Sequence, residues 1–208
     1  MNGDEDLVGA LLDVRKAYRL LYAYHQRVFA MARAINDSLD AFSFKSGEAG
    51  YDFLKKWSPQ DEDIEYWETL PFYSTIFMWA KCKEDVHLAK KSKHLNLSDR
   101  FLAIEVLADV VGDDAEESDP VTFEHPPESS KTVMRCFFGR PLKECDGVSI
   151  LDAWGVDVRK PQFATRSKKG EFVLWREDLD LATMPAKDDV IRAIREFIAR
   201  AELALESV

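Results

Sequence analysis

Between Leu7 and Phe42 one pattern dominates the chain. Leu7, Leu11, Val14, Tyr18, Leu21, His25, Val28, Ala32, Ile35, Leu39 and Phe42 recur in alternating steps of four and three. That spacing marks one face of an α-helix and predicts a single long helix. One row (Leu7, Val14, Leu21, Val28, Ile35, Phe42) is uniformly bulky, and the other (Leu11, Tyr18, His25, Ala32, Leu39) is mixed.

The flanks of the seam are also mostly apolar: Ala10, Ala17, Tyr24 and Met31 on one side, Arg15, Tyr22, Phe29 and Asn36 on the other. A freestanding two-stranded coil carries charges there. The wide face instead suits a helix packed on a sheet or between helices, so the β-rich remainder is expected to cover it. Polar residues (Asp13, Lys16, Arg19, Gln26, Arg27, Arg33, Asp37, Asp40) gather opposite.

A rod over residues 7–42 is roughly 54 Å long, whereas a compact chain of this length is about 43 Å across. The helix is therefore expected to curve or kink, or to pack its protruding end against a second copy. A homodimer through it is one of the two outcomes.

Further along, residues 43–70 read as an aromatic connection, broken by two glycines between Ser46 and Gly50. After Pro71 the pattern becomes β-like. Phe72–Lys81 reads as a central strand, with Tyr73, Thr75, Phe77 and Trp79 on one face and Phe72, Ile76 and Met78 on the other. Arg100–Val111 fits a strand, with Leu102, Ile104, Val106, Ala108 and Val110 on one face. It also fits a helix striped by Leu97, Phe101, Ile104, Ala108 and Val111, with Ser98 as N-cap. Its β-branched residues favour the strand.

An acidic loop is expected over 112–131 and a strand over 132–139. A hairpin is expected from Gln162–Arg166 and Glu171–Arg176. A last helix over 185–206 has Pro185 in its first turn, Asp188 and Asp189 at its N-terminus, and Ile191, Ile194, Ile198, Ala201 and Leu205 as its stripe. Helix, strands, helix predicts a single α+β domain over 1–208. Its two terminal helices pack, side by side, on a mainly antiparallel sheet of four to six strands spanning 71–180.

Charge and cysteine content narrow the function classes. The formal charge is −10. Asp109 to Glu128 holds eight acidic residues and no Lys or Arg, and Asp61, Glu62, Asp63, Glu65 and Glu68 form a second cluster. Such a surface repels nucleic acid and suits a basic partner or plain solubility. The N-terminal sequence has no signal-peptide pattern, and no apolar run reaches the ~18 residues of a membrane span. Three cysteines, Cys82, Cys136 and Cys145, fit reduced thiols in the cytoplasm.

Candidate chemistry is thin. Cys82, His87 and His94 stand five and seven apart, unlike a zinc site's close pairs. Asp113, Asp114, Glu116, Glu117 and Asp119 lack the EF-hand's central Gly and closing Glu. Glu105 and Asp109 on one strand face lie about 13 Å apart, beyond a glycosidase pair. His25 in the helix seam reads as a buried neutral imidazole. Lys90–His94 and Arg166–Lys169 are basic turns without interleaved aromatics. Among the tryptophans, Trp79 and Trp175 fall on strands and Trp57, Trp67 and Trp154 in connections. They read as core first and as the wall of a small-molecule pocket second.

No nucleophile elbow or phosphate loop is present, and nothing calls for a cofactor or metal. The expectation is a cytosolic, non-catalytic interaction protein that self-associates. The alternatives are a small-molecule-binding or sensor domain, and a hydrolase using Glu105, Asp109 or His125.

Overall fold

The computed structural model describes residues 3–49, 74–82, 95–111, 127–144, 146, 165–166 and 171–207. Helix α1 (Gly3–Ser38) runs unbroken for 36 residues. Strands β1 (Ser43–Ala49), β2 (Ser74–Lys81), β3 (Arg100–Val111) and β4 (Ser130–Pro141) follow. Then come β5 (Thr165–Arg166), β6 (Phe172–Asp180) and helix α2 (Lys187–Glu206). All six strands form one antiparallel sheet in the order β1-β2-β3-β4-β6-β5. The α+β fold expected from the sequence is the fold observed.

Several boundaries differ from expectation: α1 ends at Ser38 rather than Phe42, and β6 runs on to Asp180 rather than stopping at Arg176. Residues 43–49 are a strand, because a ladder to β2 organises this small, polar stretch despite its glycine. The sheet therefore starts at residue 43, with β2 inside it. β4 starts at Ser130, after a 3-10 turn over Pro127–Ser129, so the predicted acidic loop ends earlier. Pro185 lies just ahead of the α2 N-cap Ala186, not in the first turn. Ala186 has no side-chain acceptor, so only the Asp189 half of the cap forms: its Oδ2 accepts from the Ala186 N–H at 3.2 Å.

Alternation sets the two faces of the sheet. Phe77, Trp79, Leu102, Ile104, Val106, Met134, Cys136, Phe138 and Val173 form one cluster with the helices. From α1 come Val28, Phe29, Met31, Ala32, Ile35 and Leu39; from α2, Val190, Ile194, Phe197, Ala201 and Leu205. The α2 stripe is turned slightly from the expected one. Val190 and Phe197 are buried, while Ile191 and Ile198 sit at its edge. Met78, Ala80, Phe101, Ala103, Phe137, Phe172 and Leu174 make a second cluster on the opposite face.

Aromatic side chains fill the layer beneath α1. Phe29 meets Phe77 edge-on, and Phe77 stacks on Trp79. Phe44 meets Trp79 edge-on. Trp79 Nε1 donates to Asn36 Oδ1 at 3.3 Å, tying α1 to β2.

The helices lie alongside one another and run in the same direction. Arg27 Nη2 donates to the carbonyls of Met184 and Pro185, each at 3.2 Å, at the start of α2. Eleven residues on, Arg195 Nη2 donates to the carbonyl of Ser38, where α1 ends. That donor satisfies a carbonyl the helix terminus leaves open.

Candidate functional site

α1 divides in two. From His25 onward its seam is core: His25, Val28, Ala32 and Ile35 are all nearly inaccessible. Before that point the same seam is bare. Leu7 is 58% exposed, Leu11 50%, Val14 51%, Tyr18 53% and Leu21 42%. Val8, Leu12 and Leu20 are exposed too, on other sides of the same helix. Among the described residues, the core of sheet and helices covers the apolar face only from His25 onward, and the expected cover is not seen over residues 7–21. The reason is length: Gly3–Ser38 spans ~54 Å and the sheet lies under only its second half. The sequence pattern cannot reveal this, because the seam looks alike on both sides of residue 25. Eight large apolar residues between Leu7 and Leu21 are thus exposed on one helix, five of them along a single stripe.

The second concentration of chemistry is a row of charges on the sheet face opposite the helices. Glu105, Arg135 and Asp178 stand directly opposite one another on β3, β4 and β6. Arg135 Nη1 lies 3.8 Å from Glu105 Oε2, and its Nε lies 3.4 Å from Asp178 Oδ1. Arg176, two residues along β6, grips Asp178 with two prongs at 2.9 and 2.7 Å. Both arginines are about 4% exposed. Two cations and two carboxylates neutralise one another, which is how buried charge is tolerated. As a unit they hold three strands in register. Glu105 therefore faces Arg135, and the sequence pairing of Glu105 with Asp109 missed this partner. The available signal was an Arg in mid-strand on the same face parity.

On the helix side Glu177 is 6% exposed. Arg200 from α2 donates Nε and Nη2 to its two oxygens at 3.2 and 2.8 Å. Trp175 Nε1 donates to it at 3.0 Å. Here Trp175 is a strand residue tied to a carboxylate.

The remaining candidates fall as follows. His25 is buried and meets the ring of Tyr24 edge-on at 5.4 Å. Burial lifts the Tyr24 phenol to about 12. Cys82 is partly buried and its thiol is also raised to about 12, by burial first and then by Asp99. Cys136 is fully buried and its thiol is pushed well above the usual range, mainly by desolvation. Protonated thiols of this kind are poor nucleophiles.

His87, His94, Asp113, Asp114, Glu116, Glu117, Asp119, His125, Trp57, Trp67, Trp154 and the basic turns at 90–94 and 167–169 lie outside the described residues, as does the cluster at 61–68. The side chain of Asp109 does too. Among the described residues, no three His, Cys, Asp or Glu are grouped so as to hold a metal ion. Among them too, no helix is long and apolar enough to cross a membrane.

No curated protein and no solved structure is significantly similar to this chain. The profile of one protein family, described as PM0109, matches residues 4–206. That match spans nearly the full length, α1 and α2 included, and on it the chain belongs to the PM0109 family.

Proposed function

We propose that this chain is a cytosolic, non-catalytic interaction protein that self-associates through the outer half of α1. One observation carries the reading: a bare, two-row apolar seam on a helix whose other half is built into the core. Burying a half-exposed Leu, Val or Tyr releases about 1 kcal/mol. Five seam positions on each of two copies supply on the order of 10 kcal/mol, which exceeds an association cost of about 4 kcal/mol, the low end of its range, by enough for micromolar pairing. Loss of two of them is then enough to separate the copies. The charge of −10 suits a basic protein as a further partner.

Light scattering after gel filtration tests the reading. The wild type is expected at twice the 23.8 kDa chain mass. Val14→Glu/Leu21→Glu is expected at the chain mass, with the same core stability, since neither side chain enters the core. A wild type that stays at the chain mass at high micromolar concentration overturns it.

A further inference from the structure

We draw no further inference here: the strongest candidate, the exposed apolar stripe from Leu7 to Leu21 on the outer half of α1, carries nothing beyond the self-association already proposed, because nothing in the structure shows how or by what it is covered.

Discussion

Arg200 reaches from α2 to grip Glu177 on β6 through both carboxylate oxygens, at 3.2 and 2.8 Å. The carboxylate is buried and the arginine is about half exposed, so the pair sits at the margin of the core. Removing the cation leaves Glu177 with the Trp175 N–H and little water. Arg200→Met is expected to cost about 2 kcal/mol in urea unfolding. Arg200→Lys lacks the fork and falls between. Arg200→Met/Glu177→Leu is expected to recover most of the loss, because both charges go together. An Arg200→Met protein as stable as wild type refutes this account.

Gly139 on β4 faces Leu174 on β6 so closely that an added Cβ meets the Leu174 side chain and lies 3.1 Å from the Val173 carbonyl oxygen. Leu174 can turn; the carbonyl belongs to the ladder and cannot. Gly139→Ala is expected to cost about 1–3 kcal/mol by overpacking. Adding Leu174→Ala relieves only the side-chain clash, so it does not restore stability. Thermal unfolding of the two variants separates the two contributions.

The two halves of α1 are expected to tolerate change very differently. Phe29 is 1% exposed and packs on Phe77, and its replacement by Ala is expected to cost about 3–5 kcal/mol. Leu11→Ala, measured at concentrations where the chain is monomeric, is expected to stay within about 0.5 kcal/mol of wild type. Equal losses at the two positions contradict the division of the helix at His25.

Two partly buried acids predict an alkaline limit. Folding raises Cys82 from 9.0 to about 12 and Tyr24 from 10.0 to about 12. Each holds its proton more tightly in the folded chain than in the unfolded one. The stability they contribute is therefore complete below pH ~9 and is lost as pH climbs to about 12. Unfolding free energy measured against pH should fall across that window. Cys82→Ser/Tyr24→Phe should flatten the fall; an unchanged slope removes both groups from the account.

Much of the architecture was legible because each element repeats its own period. The seam from Leu7 to Leu39 specifies a helix, and the alternation through Leu102, Ile104 and Val106 specifies β3. What stayed hidden depends on partners distant in sequence. β1 has no apolar alternation of its own and owes its shape to the β2 backbone. The Glu105–Arg135–Asp178 row needs the register of three strands before its charges meet. Nothing in the apolar pattern distinguishes Val14, bare, from Val28, buried. Hydrophobicity records that a surface is meant to be covered, not by what.

The anchoring of α1 has a mechanical consequence. Its inner half is clamped by Arg27 at one point and by Arg195 at another, eleven residues apart. From His25 to Leu7 the free arm is about 27 Å long, so a tilt of about 10° at the clamp swings the tip by about 5 Å. Small adjustments where α1 meets α2 are thus amplified at the arm's end, and anything attached there is aimed from deep inside the body.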